Sequence, residues 1–195
     1  MTLRRILPAA VGVALLALLA WGVTSLLERL ASRAPETPNA PAAAAPSETP
    51  HISATLFYAT PEGDALLPAR REVPFADGLV AQGRQILTTQ FEAPPEPYVS
   101  AIPAGTTLRA FYVTAKGDAF VDVSGIAATH PGGSLTELLT VQAIVNAVIA
   151  NLPAVQRVQI LVDGKEVDTI AGHVDIRRPL VRDMSLIRAK ETAAQ

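Results

Sequence analysis

Residues 134–152 read SLTELLTVQAIVNAVIANL, and this stretch decides how the chain folds. Its large apolar residues recur at the three- and four-residue spacing of one helix face, and they are Leu138, Val141, Val145, Val148 and Leu152. Ser134 and Glu137 match the capping box, in which two side chains satisfy amides at the start of a helix. Pro153 ends the pattern because proline cannot continue a helix. The stretch predicts a long helix lying with one face on a sheet.

Strand patterns occur on both sides of this helix. β-Branched and alternating runs predict strands at 51–59, 66–73, 107–114, 119–124, 157–162 and 165–170. Asp163 and Gly164 separate the last two runs and suit a type I′ hairpin turn. A second helix is expected from Asp77, as its N-cap, to about Phe91, and Gly83 within it allows another element to approach closely. The order β-β-α-β-β-α-β-β predicts an α+β domain with two helices packed on one face of a mostly antiparallel sheet.

The N-terminus contains a second strong pattern, because 6–27 is a run of 22 uncharged residues. At a rise of about 1.5 Å per residue, a helix of this length crosses a hydrocarbon core of roughly 30 Å. Arg4 and Arg5 precede the run, which favours a cytoplasmic position for residues 1–5. We expect a single-pass transmembrane signal anchor at 6–27, with the rest of the chain outside the cytoplasmic membrane. The alternative is a cleaved signal peptide, whose apolar region is usually about 7–15 residues long.

The remaining chain divides into a linker, a domain and a tail. Residues 28–50 form a Pro/Ala-rich linker with few large apolar side chains, and such a segment is expected to be extended and disordered. The globular domain is expected at 51–180 and a charged C-terminal tail at 181–195. The part after the linker is long enough for one hydrophobic core.

The composition excludes several classes of function. The chain has no cysteine, which rules out disulfides, thiolate metal sites and attachment of lipid through cysteine. Its 16 Lys+Arg and 18 Asp+Glu give a net charge of −2, whereas a nucleic-acid-binding protein usually has a basic excess. We therefore expect no nucleic-acid partner.

The polar residues that come nearest to a reactive set are Asp122, Ser124 and His130. No nucleophile elbow or oxyanion-hole motif accompanies them, and we interpret them as hydrogen-bonding groups of a turn and a strand end. His173 and Asp175 would share one face of a strand as metal ligands, but two ligands are too few for a site. The sequence predicts no catalytic, cofactor-binding or metal-binding residues, and thus a protein that is not an enzyme.

Three segments in this order resemble a known family. They are YVTAKGDAFVDVSG at 112–125, SLTELLTVQAIVNAVI at 134–149 and VQRVQILVDGKEVDTIAGHVDI at 155–176, and the most specific piece is LVDGK at 161–165. Over about 55–180 the chain resembles a single copy of the GerMN domain, which is found in sporulation and spore-germination proteins. The resemblance implies an extracytoplasmic, non-enzymatic domain whose fold is similar to the ring-building modules of secretion machines. It also implies a role in envelope assembly or protein–protein contact.

The candidate contacts for a partner are basic residues near the C-terminus, namely Arg177, Arg178 and Arg182. Such a cluster suits an acidic protein, anionic lipid headgroups or carboxylates of the cell wall. We expect a protein partner, which includes a second copy of the chain, bound through a sheet edge or a helix face. The alternative is a peptidoglycan- or glycan-binding module. Such a module would present aromatic platforms, yet most aromatic residues here fall at positions expected in a core.

Overall fold

The computed structural model describes residue 21 and residues 50–188. Residues 50–188 belong to one compact unit, Thr49–Gln195, which contains all the elements named below. Outside the described residues lie the predicted N-terminus 1–5, the anchor 6–27 except Trp21, the linker 28–50 except Pro50, and the end of the tail, 189–195. The anchor and the linker therefore stay predictions.

The domain has two β-sheets. In the first, β1 (His51–Ala59) and β2 (Leu66–Pro74) form an antiparallel hairpin. The second has the order β3 (Thr107–Val113), β4 (Asp118–Ser124) and β5 (Arg157–Val162). β3 is antiparallel to β4, whereas β5 is parallel to it. The predicted α+β class is confirmed and the pairing is mostly antiparallel, but the prediction of one sheet is wrong because the strands form two.

The parallel pairing of β4 and β5 follows from their connection. Parallel neighbours need a crossover, and the crossover here is a helix, α3 (Ser134–Asn151). Two other helices precede it: α1 (Leu79–Phe91) and the one-turn α2 (Ile126–Thr129). β4, α3 and β5 therefore form a β-α-β unit, which a prediction from antiparallel hairpins alone misses.

The predicted return strand at 165–170 does not form, although its turn does. Asp163 and Gly164 have φ values of 52° and 77°, which a type I′ turn requires, and Val162 pairs with Lys165 across it. Further along, the outer edge of β5 is occupied by a later segment, because Leu180 exchanges backbone hydrogen bonds of 2.9 and 2.8 Å with Val158.

Both predicted N-caps are wrong. Gly78 precedes α1 and Gly133 precedes α3, with φ values of 87° and 91°, and no side chain caps either helix. Ser134 is already helical, and the Glu137 carboxylate is directed to another segment. Glycine replaces a polar cap here because the residue before each helix has a positive φ with an extended ψ, a conformation that glycine adopts without steric cost.

α3 is buried on nearly all sides rather than on one face. It packs against β1, β5 and α1, and its polar residues Gln142 and Asn146 are buried as well. Among the described residues it is the helix long and apolar enough to cross a membrane, with 18 residues and a mean hydropathy of 1.2. It is nevertheless the core helix, since 61% of it is buried inside the domain.

The outer edge of β1 is closed by side-chain amides. Gln90 at the end of α1 accepts from the Phe57 N–H at 2.9 Å and donates to the Phe57 carbonyl at 2.7 Å. Asn151 at the end of α3 does the same for Thr55, with both bonds at 2.8 Å. The two amides therefore occupy the positions of a neighbouring strand and remove the edge as a template for pairing.

The C-terminal strap, defined here as residues 177–188, joins three elements. It pairs with β5 at Leu180, and the Asp183 N–H donates to the Gln142 Oε1 of α3 at 3.1 Å. At its end Ile187 forms a bridge with Leu66 of β2, and the Arg188 N–H donates to the Leu66 carbonyl at 2.9 Å. The chain therefore does not leave the domain at the expected boundary of 180, because residues 181–188 continue across it.

Candidate partner-binding surface

The residues that resembled a catalytic set have separate structural partners. Asp122 accepts from the Gly164 N–H at 2.8 Å and forms an ion pair of 3.2 Å with the Arg109 Nε. Ser124 Oγ lies 3.3 Å from Thr107 Oγ1. Asp122 thus holds the Asp-Gly turn against β4, which joins two of the segments on which the family resemblance rests.

His130 also has its hydrogen-bonding capacity occupied. Its Nδ1 accepts from the Gly132 N–H at 3.0 Å, so in the neutral ring the proton lies on Nε2, 3.4 Å from Thr140 Oγ1. Burial lowers the pKa of His130, which favours the neutral form. The Thr140 hydroxyl in turn donates to the Ala101 carbonyl at 2.6 Å.

The predicted role of Glu137 as part of a capping box is wrong, because its side chain binds another segment of the chain. Its fully buried carboxylate accepts from three backbone N–H groups, those of Ile170, Ala171 and His173, at 2.8–2.9 Å. Burial raises the pKa of this carboxyl, but the N–H groups of Ala171, His173 and Ile170 outweigh burial and hold the pKa below its usual value. The only local signal was an acidic residue at an otherwise apolar stretch of helix.

His173 and Asp175, which the sequence places on one strand face without predicting a metal site, contact different partners. His173 Nδ1 lies 3.2 Å from the Glu137 Oε2, whereas Asp175 binds the Arg177 guanidinium at 2.6 and 3.0 Å. The hydrogen bonds from Arg177 lower the pKa of Asp175 to about 2. Within residues 50–188 and residue 21, no group of three His, Cys, Asp or Glu side chains is placed to hold a metal ion.

The three arginines predicted to contact a partner differ in whether their guanidinium groups are already bound by other residues. Arg177 is engaged by Asp175, and Arg182 donates from Nε to the Asn146 Oδ1 at 3.2 Å, half-buried beside α3. Arg178 is exposed, and no described residue forms an ion pair or hydrogen bond with it. Of the three predicted contacts, Arg178 is therefore the one whose guanidinium is available to a partner.

A second exposed surface lies on the outer face of the three-stranded sheet. We call it the Tyr112 face and define it by Tyr112, its cross-strand neighbour Phe120, and the ion pairs Arg109–Asp122 and Asp118–Arg157. Tyr112 is 60% exposed, and Phe120 is half-buried beside it. The inner face of the same strands carries Val121 and Ile160, both fully buried. The expectation that the aromatic residues lie in the core therefore fails at Tyr112.

A cleft of about 230 Å³ lies between the β1–β2 turn, the 99–103 loop and the first turns of α3. Two of its polar groups are already paired, since Thr140 bonds Ala101 and the Ser100 hydroxyl bonds the Ile102 carbonyl at 2.9 Å. The exposed side chains of Glu62 and Thr136 also line the cleft.

The comparisons with known proteins agree with the sequence resemblance. The family model described as "Germane: Sporulation and spore germination" matches residues 55–168. No curated protein matches the chain. The structure of the tandem GerMN domains of the sporulation protein GerM from Bacillus subtilis is similar, with 15% identity and a TM-score of 0.57, over 68% of this chain and 46% of that one.

The first GerMN domain of the same Bacillus subtilis protein, as a separate structure, is also similar. It is 16% identical with a TM-score of 0.53, over 67% of this chain and 98% of that one. The chain thus spans about half of the tandem structure and nearly all of the single domain, and at these identities the likeness concerns the fold. Because the family model covers 55–168, more than half of the chain, the protein belongs to the sporulation and spore germination family of GerMN domains.

Proposed function

We propose that the protein is a membrane-anchored extracytoplasmic GerMN module that acts by binding, in the assembly of the cell envelope, and not by catalysis. The observation that carries the proposal is the family match over 55–168. The uncharged run at 6–27 supports a single-pass anchor with a cytoplasmic N-terminus. The pairing of Asp122, Ser124 and His130 with separate partners supports a binding role.

The anchor and its orientation are tested together in cells. After extraction of membranes with alkaline carbonate, the full chain should remain in the membrane pellet, and protease added to spheroplasts should digest the domain. A protein released by carbonate, or one protected from external protease, would reject the anchor or the orientation.

The partner is a protein, including a second copy of this chain, and the strap arginines supply the contact. Among them Arg178 is exposed with no described ion-pair partner, so Arg178→Glu should weaken capture of envelope proteins, whereas Arg177 and Arg182 are already engaged. Arg84→Glu, an exposed site on α1 with the same charge change, is the matched control. Equal capture by the wild type and Arg178→Glu would reject this contact.

Self-association is tested by light scattering after size exclusion on the compact unit 49–195, over a series of concentrations. A mass that rises with concentration supports assembly through copies of the domain. A monomer at every concentration directs the search to a different protein partner.

A glycan-binding module is the second candidate function. The observation that favours it is the exposure of Tyr112, since an aromatic ring presented on a flat sheet face is a stacking platform.

A further inference from the structure

Strand addition, the expected binding mode of such a sheet, is largely blocked in this domain. The β1 edge is closed by Gln90 and Asn151, and the β5 edge by Leu180. The β2 edge is weakened by Pro68. Its partner on β1, Phe57, turns its N–H and carbonyl away from the hairpin, so Pro68 also faces outward, and proline has no N–H to donate there. β3 carries a bulge between Leu108 and Ala110, which interrupts regular pairing. A binding surface must therefore be sought on a face rather than at an edge.

The Tyr112 face is where the fold exposes an aromatic side chain on a sheet. Tyr112 lies directly opposite Phe120 on β4, so the two rings form one apolar strip. Most of the Tyr112 ring is in contact with solvent. A single exposed aromatic residue is ordinary on a protein surface, so a binding site here must be supported by the groups that lie beside the ring.

Polar groups lie on both sides of this strip. Asp118 and Asp122 are four residues apart on β4, about 13 Å along the strand, with Phe120 between them. Each binds one arginine: Arg157 pairs with Asp118 at 2.8 and 3.1 Å, and Arg109 with Asp122 at 3.2 Å. The strip is thus bordered at each end by a half-exposed guanidinium, whereas the Asp118 and Asp122 side chains are only 17% and 9% exposed.

The bulge in β3 supplies one of these groups. Leu108 pairs with Val123 and Ala110 pairs with Asp122, which leaves Arg109 as the extra residue of the strand. Its guanidinium reaches Asp122 on the outer face and Asp163 of the turn at 3.4 Å. Bulges commonly re-aim a side chain beside a functional site, and this one places an arginine on the outer face beside Asp122.

Donors remain on both arginines after these contacts. Arg157 uses Nε and Nη2 in its ion pair with Asp118. Arg109 uses Nε in its ion pair with Asp122 and Nη1 in its ion pair with Asp163. The side chains of Arg157 and Arg109 are 51% and 47% exposed. Each guanidinium carries five N–H donors, so both can bind a ligand without breaking the pair with aspartate.

This arrangement matches the chemistry of a sugar chain. A pyranose ring presents C–H groups on its face, which stack on an aromatic ring, and hydroxyl or acetamido groups at its rim, which bond planar polar side chains. The charges of Arg157 and Asp118 cancel at one end, whereas at the other end Arg109 lies between Asp122 and Asp163, so the strip has no positive excess that would favour an anionic ligand. A standard protein interface would instead bury roughly 800 Å² on each partner around an apolar centre, and here one strip of two rings lies between polar groups.

We propose that the Tyr112 face is a glycan-binding site that takes a linear strand of N-acetylated amino sugars. The choice of amino sugars rests on the proposed location in the cell envelope, whereas stacking on Tyr112 rests on the geometry of the sheet. The site is separate in sequence and in chemistry from the arginines of the strap, so each can be lost without the other.

The test uses the full chain in a detergent without a sugar headgroup, titrated calorimetrically with a linear tetramer of N-acetylglucosamine. The wild type should bind, and Tyr112→Ala should bind about tenfold more weakly because the stacking surface is removed. Tyr112→Phe keeps the ring and should bind as the wild type does. Phe75→Ala, which removes an aromatic ring exposed elsewhere, is the matched control and should leave affinity unchanged. Co-sedimentation with purified sacculi should rank the variants in the same order.

The proposal is overturned if the wild type does not bind the tetramer, or if Tyr112→Ala binds it as well as the wild type does. It is also overturned if Tyr112→Ala abolishes capture of an envelope protein while sugar binding persists, which would assign the face to a protein partner. Failure of the proposed binding function is a different result, because Arg178→Glu tests protein capture independently. Thermal unfolding monitored by circular dichroism confirms that each variant is folded.

Discussion

At the scale of the residue, Glu137 is a buried carboxylate that joins two distant parts of the chain. Its carboxylate lies in the core and binds the backbone of the 170–173 loop, 33 to 36 residues further along the chain. The loop turns its N–H groups toward one point, and Gly172 with φ 98° permits that turn. A buried charge is tolerated only when hydrogen bonds replace the lost water, and here three amides and the His173 ring do so.

Glu137→Gln should destabilise the domain by roughly 2–3 kcal/mol, because charge-assisted hydrogen bonds are lost and the new amide group faces N–H donors. Urea denaturation of the compact unit measures the change. Glu166→Gln, at an exposed site beside the turn, is the control and should change stability little. Equal stability of Glu137→Gln and the wild type would contradict the role of the carboxylate.

The contribution of Glu137 should also depend on pH. Its pKa is lowered in the folded state, so the stabilisation is complete above the pKa of the unfolded chain and is lost as pH falls through the folded-state pKa. The stability difference between the wild type and Glu137→Gln should therefore shrink in acid. Asp64 and Asp175 have lowered pKa values as well, but they are present in both proteins and cancel. A difference that stays constant down to the acid transition would contradict this linkage.

At the scale of the element, close packing of α1 on the second sheet depends on one missing side chain. A Cβ at Gly83 would overlap the ring of Phe111, which is buried on the inner face of β3. Glycine within a helix destabilises it by about 1 kcal/mol relative to alanine, so the close packing of α1 on β3 must stabilise the domain by more than that. The expectation that Gly83 admits another element is confirmed, and the element is β3.

Gly83→Ala should destabilise the domain by about 1–3 kcal/mol, because overpacking against a buried ring outweighs the better helix propensity of alanine. Thermal unfolding measures the loss. If the overlap with Phe111 is the cause, Phe111→Leu should cost less in the Gly83→Ala background than in the wild type, and a double-mutant cycle isolates this coupling. Additive effects of the two changes would show that the loss arises elsewhere.

At the scale of the whole molecule, the strap connects the two sheets across the core helix. It begins at β5 of one sheet, crosses α3 at Gln142 and Asn146, and ends at β2 of the other. Its last described residue also forms an ion pair, between Arg188 and Asp64 at 2.7 Å. The family model ends at residue 168, so the strap lies beyond the matched region.

Deletion of 177–195 should destabilise the domain by at least about 3 kcal/mol, because it exposes the Val158 edge and leaves the amides of Gln142 and Asn146 without several partners. Hydrogen exchange should then show loss of protection along β5 in particular. Deletion of 189–195 alone keeps every described contact of the strap and is the control. If both deletions leave stability unchanged, the strap is not part of the folded unit.

The local features of the fold could be read from the sequence because neighbouring residues determine them. The apolar repeat in 134–152 predicts α3, and Asp163-Gly164 predicts the left-handed turn, since helix period and turn conformation are set within a few residues. The proposed Arg178 contact was in the predicted cluster. The Tyr112 face was not, because exposure of a strand residue depends on which face the rest of the chain covers.

The sequence alone determined the class of the domain, the place of its two main helices and its family, because periodicity, turn chemistry and motif order are carried by contiguous residues. The tertiary structure decided the parallel pairing of β5, the partner of Glu137, the closure of the β1 edge by Gln90 and Asn151, and the exposure of Tyr112. Each of these joins groups distant in the chain. The local sequence around each of these groups is compatible with several different contacts, and only the packing of the complete core selects one of them.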